Sequence, residues 1–170
     1  MTSIHTQFYP DGSLQSIHFT NIHGDHRHDG SSFQSWYANG QLKQQEYNID
    51  DKLNNFFDTY TTITIPAFRE WYENGQLSDQ QYYTNDKLNN FFNTHTNQTI
   101  PAIQQWNNDG KIWTQEYYTD GQRNNFFNHD TNQTIPAFQQ WDNDGKIWTQ
   151  EYYTDGKRNN FFDTNVNHTT

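Results

Sequence analysis

The sequence contains no cysteine, and this absence excludes disulfide bonds, thiolate metal sites and a cysteine nucleophile. Leu, Ile, Val and Phe are also scarce: they total only 30 of the 170 residues, a proportion that at high net charge is typical of disordered chains. The aromatic residues indicate the opposite, because 6 Trp, 11 Tyr and 13 Phe exceed what disordered chains contain. We therefore predict a folded chain whose core consists mainly of rings.

Basic residues are few, since 10 Lys and Arg stand against 20 Asp and Glu and give a net charge of −10. This charge argues against nucleic-acid binding and against contact with anionic lipid headgroups. No stretch approaches the roughly 18 apolar residues of a membrane-spanning helix. The N-terminal residues have neither the basic start nor the apolar core of a signal peptide. We expect a soluble cytoplasmic protein, or a virion protein if the source is viral.

The chain repeats itself every 35 residues, as its tryptophans and glycines show. Segments 97–127 and 132–162 agree at 28 of 31 positions. A shorter copy opens the chain, with Gly12 placed 28 residues before Gly40. We predict a degenerate N-terminal unit or cap at 1–30, repeats at 31–162 and a C-terminal tail at 163–170. The four repeats are expected at about 31–65, 66–100, 101–135 and 136–162.

Each unit carries two turn signals of the Asn-Gly or Asp-Gly type, 11 residues apart, which favour short hairpins with a strand of about eight residues between them. Glycine tolerates the positive φ of such turns, and Asn or Asp is the next best choice. Asp50-Asp51 and Asn85-Asp86 are therefore expected to form the second turn without glycine. The predicted turn glycines are Gly12, Gly40, Gly75, Gly110, Gly121, Gly145 and Gly156. The predicted fold is all-β, an elongated antiparallel array of hairpins or meanders with a 35-residue period.

The strings WYANGQLKQQEY (36–47), WYENGQL (71–77) and EYYTDGK (151–157) resemble the MORN-type repeat, in the variant known from bacteria and giant viruses. The resemblance implies an elongated antiparallel sheet, an interaction or scaffolding role and no conserved catalytic residues. Some bacterial members are described as antitoxins. The present units depart from the family pattern because they insert about seven residues around NNFF and are rich in Asn and Gln.

A histidine cluster in HFTNIHGDHRHDG (18–30) is the best candidate for a metal site, through His23, His26 and His28. Imidazoles at short spacing are able to hold zinc or nickel. The cluster occurs once and lacks the spacing of a known metal motif, so we favour a connecting turn and predict no metal and no cofactor. Catalytic residues are likewise not predicted, because repeated carboxylates such as Glu116 and Glu151 spread along a surface instead of forming one pocket.

Two series of rings recur at the same places in successive units, and they are the candidate binding residues. One interpretation makes them the core that joins successive hairpins through cross-strand pairs. The other leaves one face exposed as an aromatic platform for a protein, peptide or glycan. We favour the core for most of them. The residues are Trp36, Trp71, Trp106 and Trp141, and Tyr83, Tyr118 and Tyr153.

We predict a non-catalytic repeat scaffold that mediates protein–protein interaction, with an unidentified protein partner. Two alternatives stay open: an aromatic-lined module that binds glycans or cell wall, and a structural component of a virion or other assembly. The Asn- and Gln-rich strand edges also predict self-association unless they are capped.

Overall fold

A computed structural model describes residues 2–21 and 30–159, and the regular structure within these ranges is β-strand. The strands are β1 (Thr2–Phe8), β2 (Leu14–Asn21), β3 (Phe33–Trp36), β4 (Leu42–Glu46), β5 (Asn48–Ile49), β6 (Lys52–Leu53), β7 (Phe56–Asp58), β8 (Ile63–Ile65), β9 (Phe68–Trp71), β10 (Leu77–Gln81), β11 (Tyr83–Thr84), β12 (Lys87–Leu88), β13 (Phe91–Asn93), β14 (Gln98–Ile100), β15 (Ile103–Trp106), β16 (Ile112–Glu116), β17 (Tyr118–Thr119), β18 (Gln122–Arg123), β19 (Phe126–Asn128), β20 (Gln133–Ile135), β21 (Phe138–Trp141), β22 (Ile147–Thr154) and β23 (Lys157–Asn159).

Eleven of these strands form one antiparallel sheet in the order β1-β2-β3-β4-β9-β10-β15-β16-β21-β22-β23. Each unit contributes one hairpin, such as β3–β4 or β9–β10, and the second strand of a hairpin pairs with the first strand of the next. The chain therefore extends the sheet by two strands per unit, which confirms the predicted all-β hairpin array. The predicted unit boundaries and caps remain a prediction.

The hairpin turns place glycine, asparagine or aspartate at the positions where the backbone has a positive φ. In the turn after β3, the N–H of Gly40 donates to the carbonyl of Tyr37 at 2.9 Å, and Gly40 has a φ of 85°. The second turn of the first full unit contains Asp50 and Asp51, with φ values of 50° and 57°. Both central residues have positive φ, as a type I′ turn requires. The seven predicted turn glycines, Gly12, Gly40, Gly75, Gly110, Gly121, Gly145 and Gly156, all have φ between 73° and 86°.

Between successive sheet hairpins the chain leaves the sheet, over residues 47–67, 82–102 and 117–137. We call each of these segments an excursion. Each contains a hairpin of two-residue strands, such as β5–β6, and a hairpin of three-residue strands, such as β7–β8. The sequence suggested only a polar loop at 128–134. Instead, the Asn128 side chain accepts hydrogen bonds from the N–H groups of Asp130 and Thr131, which closes a tight turn between β19 and β20.

The predicted eight-residue strand exists only in the last unit, as β22. In the inner units it is interrupted at one residue, which in the third full unit is Tyr117, between β16 and β17. The N–H of Tyr117 donates to the carbonyl of Ala137 at 2.8 Å, and Tyr47 and Tyr82 make the equivalent bond. This long-range bond turns the chain out of the sheet and begins each excursion.

The buried core lies where the excursions meet the sheet, and rings supply most of it. Tyr47, Tyr82 and Tyr117 are between 4% and 6% exposed. Each stacks on the first phenylalanine of its own excursion, and the ring centroids are 5.0, 5.0 and 5.4 Å apart. The small residue that ends each excursion, for example Ala102, is fully buried. Such stacked pairs add about 0.5–1.5 kcal/mol beyond the burial of their area.

Asparagine side chains join neighbouring units. The Oδ1 atom of Asn90 accepts the N–H of Ala102 at 3.2 Å and the N–H of Tyr118, in the next unit, at 2.9 Å. Asn55 and Asn125 make the same pair of bonds in their units. We call these three residues the asparagine clamps. The inserted NNFF segment therefore links successive units instead of merely separating them.

Seven glutamines and Arg69 form a continuous cross-strand row across the sheet, which accounts for much of the glutamine content. Cross-strand partners on one face bring these side chains side by side, and the Gln80 amide donates to the Oε1 atom of Gln104 at 2.6 Å. The row runs Gln34, Gln45, Arg69, Gln80, Gln104, Gln115, Gln139, Gln150.

Candidate functional site

The four predicted tryptophans end strands β3, β9, β15 and β21, and all four are half-buried. The carbonyl groups of Trp36, Trp71 and Trp106 accept hydrogen bonds from tyrosine hydroxyls of the preceding hairpins, at 2.8–2.9 Å. Trp141 has Asn107 where the earlier units place such a tyrosine. The backbone at these positions thus fastens one hairpin to the next.

The predicted tyrosines are also half-buried and engaged in hydrogen bonds. The hydroxyl of Tyr83 donates to Gln81 at 2.8 Å, and those of Tyr118 and Tyr153 donate to glutamates two residues earlier at 2.9 Å. Their backbone N–H groups are held by the asparagine clamps. Arg123 adds an ion pair with Glu116 at 2.7 Å. These contacts give the three tyrosines a structural role, and whether any of them also binds a ligand stays a prediction.

Two of the seven predicted rings, Trp71 and Trp106, come together in a cleft of about 540 Å³. We call it the tryptophan cleft. Its lining residues are Tyr37, Glu70, Trp71, Tyr72, Ser78, Asp79, Gln105, Trp106, Asn107, Trp113 and Asn143. The cleft spans consecutive sheet hairpins, with five aromatic rings, two carboxylates and no Lys or Arg.

The carboxylates of the cleft lie directly opposite each other, since Asp79 of β10 pairs with Glu70 of β9. Asp79 is only 7% exposed, and its Oδ2 atom accepts a hydrogen bond from Gln105 at 2.7 Å. Its Oδ1 atom is buried and accepts no hydrogen bond from residues 2–21 or 30–159. Burial raises the pKa of Asp79, the Gln105 hydrogen bond and the nearby Gln81 amide oppose this, and the charges of Glu70 and Glu116 raise it further. The cleft therefore holds a buried carboxyl group that few polar side chains contact.

A second surface lies on the three-residue hairpins of the excursions. The second phenylalanine of the NNFF strings at 54–57, 89–92 and 124–127 points outward there: Phe57, Phe92 and Phe127 are 55%, 53% and 42% exposed. We call these three rings the phenylalanine face. Phe57 and Phe92 each border a groove that the following excursion closes, with volumes of about 710 and 650 Å³. The grooves lie at the same place in successive units.

The histidine cluster His23, His26 and His28 lies outside the described residues, and its metal binding stays a prediction. Within 2–21 and 30–159, no three His, Asp or Glu side chains are grouped as a metal site would need. The same ranges contain no helix long and apolar enough to cross a membrane.

Sequence reasoning missed Glu70, Asp79, Trp113 and the phenylalanine face, although each left a signal. The carboxylates break the repeat, because Ser35 and Gln44 stand at the same positions one unit earlier. The outward phenylalanines Phe57, Phe92 and Phe127, in contrast, stand at the same place in successive repeats, but the sequence alone does not assign them an exposed position.

The comparisons with known proteins agree with this architecture. Residues 32–48 and 67–85 match the family model described as the MORN repeat variant. The two matches cover sheet hairpins β3–β4 and β9–β10, and hairpin β7–β8 lies between them. No curated protein matches the chain significantly.

Proposed function

Because this chain is a MORN-type repeat protein, we propose that it is a non-catalytic scaffold that binds a partner protein through the phenylalanine face. MORN repeats are generally associated with scaffolds that bind proteins or membranes. The observation that carries the proposal is the repeated exposure of Phe57, Phe92 and Phe127, at 55%, 53% and 42%. Burying a phenylalanine fully is worth about 1.5–3 kcal/mol, so an array of half-exposed rings is a ready source of binding energy.

The spacing of the rings favours an extended polypeptide as the partner segment. Each unit adds two strands to the sheet, and strands lie 4.7–4.9 Å apart, so equivalent positions recur roughly every 9.5 Å. Three residues of an extended chain span about 10 Å. An extended segment with an apolar residue at every third position would therefore meet one ring after another.

The charge of the surface favours a basic partner. The two grooves are lined by Thr, Asn, Phe, Tyr, Ile, His, Gln and one Asp, Asp130, with no Lys or Arg. The whole chain carries a net charge of −10. Complementary charge raises association rates and disfavours acidic partners.

Affinity capture from the native source tests the proposal with two matched triple variants. The first replaces the face, as Phe57→Ser, Phe92→Ser and Phe127→Ser. The control replaces three comparably exposed apolar residues of the large sheet, as Ile4→Ser, Phe8→Ser and Ile147→Ser, which are 61%, 59% and 52% exposed.

We expect wild type and control to capture the same protein, and the face variant to lose it while its far-ultraviolet circular dichroism stays unchanged. Equal capture by both triple variants would contradict the proposal. Exposed rings also stack on sugars, so glycan-array binding that only the face variant loses, without any captured protein, would support a glycan-binding module instead.

A further inference from the structure

One cross-strand row of the sheet is charged in a single unit only. Glu70 and Asp79 are direct cross-strand partners in that row, and like charges directly opposite each other are destabilising. At the other positions the row is uncharged: Ser16, Ser35, Gln44, Gln105, Thr114, Gln140, Thr149. A pair of carboxylates thus replaces neutral residues at one junction, where it lowers stability.

No cation from the described part of the chain offsets this pair. Within residues 2–21 and 30–159, neither Glu70 nor Asp79 forms an ion pair. The neighbouring cation Arg69 pairs with neither carboxylate: it donates to Gln45 at 2.5 Å, and its guanidinium lies 5.2 Å from the ring centroid of Trp71, itself a residue of the cleft. The Oδ1 atom of Asp79 has no hydrogen-bond partner among the described residues, and because that atom is itself buried, Glu70 is the more accessible carboxylate of the cleft.

The rings of the cleft complement the same kind of ligand. Trp71, Trp106 and Trp113 line it together with Tyr37 and Tyr72. Two of these rings already lie against cations of the chain, Trp71 against Arg69 at 5.2 Å and Tyr37 against Lys43 at 5.6 Å. Aromatic faces attract ammonium and guanidinium groups within about 6 Å, and tryptophan does so most strongly. Indole and phenol rings are poor ligands for a hard metal ion, which needs about six oxygen donors. The combination therefore fits an organic cation with an apolar stem better than it fits a metal.

We propose that the tryptophan cleft binds the side chain of a lysine or arginine from the partner protein, with the charged head at Glu70 and Asp79 and the stem against the rings of Trp106 and Trp113. The inference rests on the proposed function, since it supplies the chemistry of the partner. A volume of about 540 Å³ is ample for one such side chain. Lys and Arg characteristically bury the stem along apolar surface and direct the charge to a polar group.

Titration of the protein with capped amino acids tests the cleft directly. The probes are N-acetyl-lysine methylamide, N-acetyl-arginine methylamide, the uncharged N-acetyl-norleucine methylamide and tetramethylammonium, followed by the indole N–H signals in NMR. We expect the lysine or arginine probe to shift the signals of Trp71, Trp106 and Trp113 saturably. The norleucine probe should leave them in place. Equal shifts with norleucine, or tighter binding of tetramethylammonium than of both basic probes, would overturn the assignment to a partner side chain.

Two charge variants separate a local site from general attraction. Asp79→Asn should weaken binding of the basic probes at least tenfold, and its urea unfolding midpoint should rise because a buried charge is removed. Asp120→Asn removes an equal charge from an exposed residue that does not line the cleft, and it should bind as wild type does. Equal weakening by both variants would overturn the proposal.

The outcome is distinguishable from failure of the proposed function. In one outcome the triple serine variant of the phenylalanine face still captures the partner, while the lysine probe binds wild type but not Asp79→Asn. This outcome contradicts the binding role of the face and supports the cleft. In the other outcome wild type and Asp79→Asn capture equal amounts of partner, which contradicts the assignment of the cleft but not that of the face.

Discussion

Replacing Asn90 with alanine should weaken two units at once, because one amide oxygen holds backbone N–H groups from both. The Oδ1 atom accepts the N–H of Ala102 at 3.2 Å and that of Tyr118 at 2.9 Å. Alanine leaves both donors without this acceptor. A buried donor without an acceptor costs about 1–3 kcal/mol. Asn90 is half-buried, so water replaces part of the loss, and we expect a destabilisation of about 2–4 kcal/mol.

Urea unfolding followed by tryptophan fluorescence measures this loss in the free energy of unfolding. Thermal unfolding gives a second readout: for a chain of this size, 1 kcal/mol corresponds to about 2–4 °C in melting temperature, so the variant should melt roughly 4–16 °C below wild type. Asn90→Asp is the matched control, because it keeps an oxygen acceptor at the same place. It should retain most of the stability that alanine loses.

Amide hydrogen exchange locates the effect. Ala102 and Tyr118 should lose protection in Asn90→Ala, whereas Ala67 and Tyr83, which Asn55 holds, should keep it. An unchanged unfolding midpoint in Asn90→Ala would refute the reasoning. Equal destabilisation by alanine and aspartate would refute it too, since the acceptor would then be irrelevant.

Two further predictions concern the third full unit. Arg123→Leu leaves the 12% exposed Glu116 side chain without its ion pair and should cost about 1–2 kcal/mol in urea unfolding. The double variant Arg123→Leu, Glu116→Gln places a leucine and a glutamine where the preceding unit has Leu88 and Gln81, and it should recover most of that loss. If the double variant recovered no stability, the ion pair between Arg123 and Glu116 would not be the cause of the loss. Burial raises the pKa of Tyr117 to about 12. Because the unfolded value is near 10, stability should fall as pH rises from about 10 to 12, as alkaline unfolding curves would show; a flat profile would contradict the burial.

The sheet hairpins were predictable because their signals are local. The turn between β3 and β4 requires positive φ at Gly40, and the sequence displays the glycine that supplies it. The excursions were not predictable in the same way. The strand is interrupted at Tyr117 because its N–H bonds to Ala137, twenty residues later, and no local pattern announces such a partner.

The candidate site was only partly predictable, for a related reason. Register showed that Trp71 and Trp106 recur, but not that they line one cleft with Trp113. The backbone carbonyl groups at both positions fasten adjacent hairpins, but any residue supplies a carbonyl, so this bond alone does not account for tryptophan there. Residues that every copy needs for folding are conspicuous in a repeat, and they obscure the residues that only one copy carries.

Differences between copies are therefore the better guide to where this array makes a specific contact. Duplication of a repeat unit extends the sheet with the same contacts as before. Segments 97–127 and 132–162 accordingly differ at only three positions. Selection for folding alone would keep the cross-strand row neutral, as it is at Gln105 and Thr114. The facing pair Glu70 and Asp79 departs from that pattern at a cost in stability. A destabilising difference in one unit of an array of otherwise similar units is best explained by a ligand whose binding offsets the loss of folding stability.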